Sequence, residues 1–161
     1  YEYIFSKEDL FLFLVDHAYN LLYDHITSTI TSEHGVMPSD LLERFSLVSR
    51  TAIDFYLENP VQIKFIIKTG HIIDEDLKDR VRNIFMSRFR DLFGDADRST
   101  LRFEFEHLLE LMEWLLLKTR DHFLKAYVTR RDASRVRGEY LKEWDFILDV
   151  LKKGIYKSDK E

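Results

Sequence analysis

The six histidines are the residues whose chemistry is most easily tested against their spacing, because imidazole is a common metal ligand and general base. Three of them, His17, His25 and His122, directly follow an aspartate. Adjacent residues on a helix point in different directions, so an Asp-His pair does not converge on one ion. The chain has no His-Glu-x-x-His sequence and no cysteine. We therefore predict no metal site, and we interpret His25 and His107 as hydrogen-bonded residues near apolar faces.

Nucleophilic and phosphate chemistry lack their usual sequence motifs. No serine lies in a Gly-x-Ser-x-Gly turn, and there is no glycine-rich phosphate loop. We predict no catalytic residue, no cofactor and no enzyme activity. The absence of cysteine excludes a disulfide framework and fits a reducing compartment, so we expect a cytoplasmic protein.

Three glutamates, Glu106, Glu110 and Glu113, recur along one predicted helix. They form a solvated strip between two apolar stripes, or one of them faces an internal cavity. A carboxylate in an aromatic cavity would attract a cationic or hydrogen-bonding ligand. The four arginines of residues 129–137 lie between the last two helices, where we interpret them as a solvated loop.

Composition limits the elements that position these side chains. The 161 residues are 45% hydrophobic and include only 5 Gly and 2 Pro, which favours a single all-α domain with long helices. No apolar run has the length of a bilayer span and no secretory signal is present, so we expect no membrane partner. The net charge of −5 opposes DNA binding by the surface of this chain.

Hydrophobic periodicity predicts six helices. Ser6 is a good N-cap for the first, and Asp9 is placed to complete a capping box with it. Gly94 is predicted to end the fourth helix in a left-handed conformation. The predicted helices span residues 7–30, 38–58, 61–69, 74–94, 100–127 and 133–153.

The last two helices are apolar on two sides, and a 161-residue monomer offers nothing obvious to cover both. The second stripes contain Phe103, His107, Leu111 and Trp114 on one helix and Phe146 and Val150 on the other. We predict that a second copy covers this surface in a two-fold homodimer. The predicted interface residues are Leu115, Phe123, Tyr140, Trp144, Ile147, Leu148 and Leu151.

The beginning of the chain resembles a junction found in the tetracycline-repressor (TetR) family of bacterial transcription regulators. Residues 1–5, YEYIF, match its aromatic turn, and residues 6–10, SKEDL, match the helix start that follows. Ile4 and Phe5 depart from the family pattern, which usually has Phe and often Lys or Pro there. The order of six helices and the closing Leu-Lys-Lys-Gly-Ile at 151–155 are also similar to the family's regulatory domain.

The resemblance implies that residues 1–6 are the remnant of a DNA-binding head and that 7–161 form an effector-binding and dimerisation domain. The helix-turn-helix that would bind DNA is missing from the sequence. The last two helices would pair with their copies in a four-helix interface. Tyr1, Tyr3 and Lys7 would contact DNA phosphates in the intact protein, since phenol O–H and ammonium groups are phosphate donors. The implied function is a repressor that responds to a small, largely apolar effector.

The expected effector pocket lies among the first, second, fourth and fifth helices. Bulky rings pack less uniformly than aliphatic side chains, and ligand sites are typically apolar with few polar groups. The predicted lining residues are Tyr23, Phe55, Phe85, Phe89, His107, Glu110 and Met112. The main alternative is a helical homodimeric interaction module whose rings simply fill the core; a helical-bundle enzyme is a weaker one, because catalytic groups do not converge.

Overall fold

The structure, a computed structural model, describes residues 6–130 and 132–158. Within these residues the chain folds into six helices and no extended sheet, which confirms the predicted all-α class. None of the described helices combines the length and the apolar character needed to cross a membrane. The helices are α1 (Lys7–His34), α2 (Leu41–Glu58), α3 (Pro60–Thr69), α4 (Glu75–Phe93), α5 (Phe105–Arg130) and α6 (Ala133–Gly154).

Side-chain caps define the beginnings of most helices. At α1 the Asp9 N–H donates to Ser6 Oγ at 3.0 Å, and the Ser6 N–H donates to Asp9 Oδ2 at 3.2 Å. This reciprocal pair confirms the predicted capping box and satisfies two N–H groups that a helix start leaves without partners. Asp40, Asp74 and Asp132 cap α2, α4 and α6 by accepting a backbone N–H three residues on.

The C-terminal ends of α1 and α4 differ from the prediction. Helix α1 continues to His34, four residues beyond its predicted end, and Thr27 and Thr31 donate back to carbonyls four residues earlier instead of favouring a loop. Gly35, with φ of 78°, ends this helix in a conformation that glycine adopts easily. Gly94 was predicted to be left-handed, but its φ is −61°, and α4 ends with ordinary right-handed geometry.

Helix α5 begins at Phe105, so the predicted start at residue 100 is wrong by five residues. Backbone hydrogen bonds from the C-terminal segment explain the difference. The Lys157 N–H donates to Thr100 O at 3.0 Å, and the Arg102 N–H donates to Ile155 O at 2.7 Å. The C-terminal segment, which is distant in sequence, therefore forms hydrogen bonds with backbone groups that would otherwise belong to the first turn of the helix. Local apolar periodicity does not reveal such a long-range contact.

One core joins the helices. Helix α1 packs on α2 and α4, while α6 packs on α2 and α5. Trp144 of α6 lies at the centre, with its ring edge-on to Phe45 at a centroid distance of 4.9 Å. The buried Arg44 guanidinium donates to Pro38 O at 2.6 Å and Leu92 O at 3.0 Å, linking α2 to the end of α4. These contacts hold α1, α2 and α4 around a common interior.

Candidate functional site

The candidate site is a cavity of about 50 Å³ between α1, α2, α4 and α5, with one contribution from α6. These four principal helices are the ones predicted to enclose a pocket. Its volume is sufficient for a few water molecules. The lining residues are Tyr19, Leu22, Tyr23, Ile26, Val48, Ala52, Tyr56, Phe85, Arg88, Phe89, Leu92, Leu116, Leu117, Arg120 and Tyr140.

Helical spacing explains how α1 forms one wall. Tyr19, Leu22 and Ile26 follow one another at intervals of three and four residues, so they share one face of the helix. Opposite them on α4, Phe85 lies edge-on to Tyr19 at 5.4 Å and stacks on Phe89 at 5.7 Å between ring centroids. These rings line the cavity together with the α1 face.

The cavity has a buried end and an end near the surface. Tyr23, Phe85 and Arg88 are only half-buried, as are the lining leucines of α5, so the cavity reaches the surface on this side. At the other end, Tyr19, Tyr56 and Tyr140 are buried. A ligand entering between α1, α4 and α5 would therefore reach the phenols of Tyr19, Tyr56 and Tyr140 last.

Arg120 of α5 is the buried charge of this site, with only 7% of its surface exposed. Its Nη1 donates to the Tyr19 phenol oxygen at 3.2 Å, and its Nε donates to Asp121 Oδ1 at 3.2 Å. Burial raises the pKa of the neighbouring Tyr56 to about 12, so this phenol is protonated at neutral pH and retains an O–H donor. The buried end of the cavity thus combines one guanidinium with neutral phenols.

The predicted pocket residues fall into three groups. Tyr23, Phe85 and Phe89 line the cavity. Met112 and Phe55 are buried but lie outside the lining, and Phe55 packs against the His25 ring at 5.3 Å between centroids.

His107 and Glu110, by contrast, lie on the protein surface. The His107 side chain is 75% exposed, and its Nδ1 lies 3.9 Å from Glu104 Oε2. Because α5 buries the opposite face against the core, these two positions point to solvent in the isolated chain. This corrects the prediction that they line the pocket.

The glutamate row also divides. Glu106 and Glu110 are exposed, and Glu106 lies 2.7 Å from Arg90 Nη1. Glu113 is buried, and it accepts two hydrogen bonds from Arg82 of α4 at 3.1 and 3.2 Å. None of the three lines the cavity, whose lining contains arginines and no carboxylate. The charge of the site is therefore opposite to the one considered from sequence.

Arg120 and Tyr19 are the central residues that sequence reasoning missed. Both lie in apolar stripes: Tyr19 follows Val15 by four residues, and Arg120 follows Leu116 by four and precedes Phe123 by three. An arginine at that spacing on a buried face indicates a charge held inside the fold. This signal was present in the sequence.

The structure also changes the assignment of the α5–α6 surface. Among the predicted interface residues, Trp144 is 0% exposed, and Tyr140 and Phe123 are buried, so these three belong to the core of the monomer. Half-buried residues make up the remainder of the set, namely Leu115, Ile147, Leu148 and Leu151.

The second stripes of α5 and α6 are exposed. Trp114 is 64% exposed and Phe146 is 63% exposed, and Leu111 and Val150 are exposed beside them along the same helices. On these two helices, the apolar surface available to a partner is therefore formed by the second stripes.

The structure describes only one of the three predicted DNA-contact residues. Lys7 is exposed in the first turn of α1, while Tyr1 and Tyr3 lie outside the described residues. No group of three or more His, Cys, Asp or Glu side chains within residues 6–130 and 132–158 could hold a metal ion. No protein-family model, curated protein or solved structure matches this chain.

Proposed function

We propose that the chain is the effector-binding and dimerisation domain of a TetR-like transcription repressor. The observation that carries the proposal is the arginine- and aromatic-lined cavity, one wall of which is α1. The capped start of that helix at Ser6 is the point where the resemblance places a helix-turn-helix head. A ligand in the cavity would thus contact the same rigid helix that bears the head.

The size of the cavity suggests how binding would be transmitted. Sites for drug-sized ligands have volumes of about 300 Å³ or more, whereas this cavity holds about 50 Å³. Ligand entry must therefore separate the walls. Two ion pairs join α1 to α4, Glu8 with Arg80 and Asp16 with Arg88, the latter at 3.3 Å. Displacement of α4 would move α1 and shift the population of head orientations.

The proposed dimer uses the second stripes of α5 and α6. Trp114, Phe146 and the exposed aliphatic residues beside them form apolar surface on two helices that contact each other. Aromatic residues at this exposure are typical of interface cores. A second copy related by a two-fold axis would cover the surface and fix the distance between two heads.

A homodimeric interaction module without a ligand is the second candidate. The small cavity favours it, because 50 Å³ leaves room for water without requiring an effector. The two candidates share the dimer and differ in whether the cavity opens. The binding of ligands therefore separates them more directly than the oligomeric state.

The proposal is tested with the natural protein, including whatever sequence precedes Tyr1. We expect that sequence to contain a helix-turn-helix and the protein to bind DNA from its own locus in a mobility-shift assay. The 161-residue chain, with its net charge of −5, should not bind the same DNA. A preceding sequence without a helix-turn-helix, or specific and salt-dependent DNA binding by the chain alone, would contradict the proposal.

A further inference from the structure

The charged groups that line the cavity are all cationic. Arg88 of α4 and Arg120 of α5 both contribute to its surface, and no lining residue is an aspartate or glutamate. The remaining walls are tyrosine, phenylalanine and aliphatic side chains. A guanidinium in such surroundings acts at low local dielectric, where its attraction for an anion is stronger than in water. The cavity thus favours negative charge at a defined place.

Arg120 is paired with one carboxylate that is itself partly exposed to solvent. Its one carboxylate contact within the described residues is Asp121, whose side chain is 38% exposed and shared with solvent. Its Nη1 also donates to the Tyr19 phenol, which keeps its own proton for donation, and the guanidinium forms a further hydrogen bond with the Tyr56 phenol. A buried charge is expensive unless it is paired. An anion at this end of the cavity would complete the pairing.

Arg88 provides an independent observation. Its Nε is buried and has no hydrogen-bond partner in residues 6–130 and 132–158. The other nitrogens of this guanidinium lie 3.3 Å from Asp16 and 3.6 Å from Asp91, two carboxylates that are partly exposed to solvent. A buried N–H without a partner is destabilising by about 1–3 kcal/mol. An acceptor atom in the cavity would satisfy it.

We infer that the ligand of this cavity has a carboxylate on a small apolar body, and that Arg120 binds the carboxylate. The inference rests on the proposed function, in which the cavity is the effector site. A planar carboxylate matches the fork of donors on a guanidinium, and the Tyr19 and Tyr56 phenols add neutral donors. The aliphatic and aromatic walls contact the apolar part of the ligand. Inorganic phosphate has no apolar part, so we do not expect it to bind.

The test compares matched carboxylates and alcohols on the whole chain. Calorimetric titration and thermal unfolding use phenylacetate against 2-phenylethanol, and hexanoate against 1-hexanol. A charge-assisted hydrogen bond predicts that each carboxylate binds about tenfold more tightly than its alcohol, or more. Inorganic phosphate should not bind. Equal or tighter binding of the alcohols, or no binding of either carboxylate, overturns the inference.

Variants locate the binding. Arg120→Met should reduce carboxylate affinity to that of the alcohols, while Arg135→Met, an exposed arginine of α6 paired with Glu139, should retain the preference. If Arg120→Met does not fold by circular dichroism, Tyr19→Phe should weaken carboxylate binding about threefold and leave alcohol binding unchanged. A carboxylate preference that survives in a folded Arg120→Met overturns the assignment, and so does a preference that Tyr19→Phe leaves undiminished where that variant replaces it.

Ala52→Leu separates this inference from the proposed function, because Ala52 lines the cavity and a larger side chain would fill it. Carboxylate binding that Ala52→Leu abolishes, without any effect of the ligand on DNA binding by the natural protein, supports the inference and contradicts the proposed function. Binding of the neutral alcohols alone, abolished by Ala52→Leu and coupled to DNA release, overturns the inference and supports the proposed function.

Discussion

At the scale of single residues, the buried and half-buried charges divide into those that are satisfied within the fold and those that line the cavity. Glu113 and Arg44 are satisfied within the fold, by Arg82 and by backbone carbonyls respectively. Arg120 and Arg88 both line the cavity, and Arg88 Nε has no hydrogen-bond partner among the described residues. The first pair is expected to affect stability when substituted, and the second pair to affect ligand preference.

Arg82→Met should destabilise the chain by about 2–3 kcal/mol, because it leaves the buried Glu113 carboxylate without its cationic partner. This estimate lies below the usual range for buried pairs, since the Arg82 side chain is itself 55% exposed. Urea unfolding followed by circular dichroism measures the change. Arg90→Met is the matched control, since it removes another α4–α5 pair that is exposed, and should cost less than about 1 kcal/mol.

A second variant tests the cause of that loss. If the uncompensated charge is responsible, Arg82→Met combined with Glu113→Met should be more stable than Arg82→Met alone. A double variant as unstable as the sum of the two single variants would contradict the explanation.

Protonation of Asp95 should make the free energy of unfolding depend on pH. Its hydrogen bond from Arg44 holds the pKa of the carboxyl below the ordinary value. Because the pKa is lower in the folded state than in the unfolded state, Asp95 stabilises the fold above about pH 4 and loses this contribution as the pH falls further. Urea midpoints measured from pH 6 to pH 3 should decline less steeply in Asp95→Asn. Identical profiles for the two proteins would contradict this role.

At the scale of elements, α1 is the helix on which the proposed signal depends. Its N-terminus is ordered by the Ser6–Asp9 capping box, its middle lines the cavity, and its outer surface is paired to α4. The hydrogen bond with Ser6 also lowers the pKa of Asp9, which places a stable negative charge at the positive end of the helix dipole. The stability of the α1 N-terminus therefore depends on contacts within one turn, and a single substitution there can change it.

Ser6→Ala should reduce the free energy of unfolding by about 1 kcal/mol, since it removes the side-chain acceptor of the Asp9 N–H. It should also raise the pKa of Asp9 toward its ordinary value, which a carboxyl NMR titration measures. Ser32→Ala, in the last turn of the same helix, is the control and should change stability by less than about 0.5 kcal/mol. Equal effects of the two variants would exclude a specific role for the capping box.

At the scale of the whole molecule, α5 and α6 each have one apolar face toward the core and a second apolar face toward solvent. Their inner stripes, including Trp144 and Tyr140, complete the core, and their outer stripes, including Trp114 and Phe146, remain exposed. An obligate dimer has an interface that resembles a divided core, which exposed aromatic rings on neighbouring helices fit. Substitutions on the two faces should therefore have different consequences.

Trp114→Glu should convert the proposed dimer to a folded monomer, because it places a charge at the centre of the apolar outer surface. Sedimentation velocity at low micromolar concentration, together with circular dichroism, measures both properties. Ile73→Glu is the control: Ile73 is exposed and lies outside α5 and α6, so the dimer should persist. A wild-type chain that is already monomeric, or a dimeric Trp114→Glu, would exclude this interface.

Helix positions were predictable because their signals are local. Ser6 with Asp9 and the aspartate before α6 specify helix starts through hydrogen bonds to residues within one turn. The pocket was predicted among α1, α2, α4 and α5 from apolar positions together with the family resemblance, and the observed cavity lies among these helices. Helix starts depend on a few neighbouring residues, so the sequence alone is sufficient to predict them.

Tertiary packing decided which of two similar faces is buried. Trp114 and Trp144 both lie on apolar stripes, yet one is mostly exposed and the other fully buried, because only one face of each helix meets the core. The packing of α5 also places His107 and Glu110 at the surface and Arg120 at the cavity. Helical spacing specifies which residues share a face, but the position of the neighbouring helices determines what that face contacts.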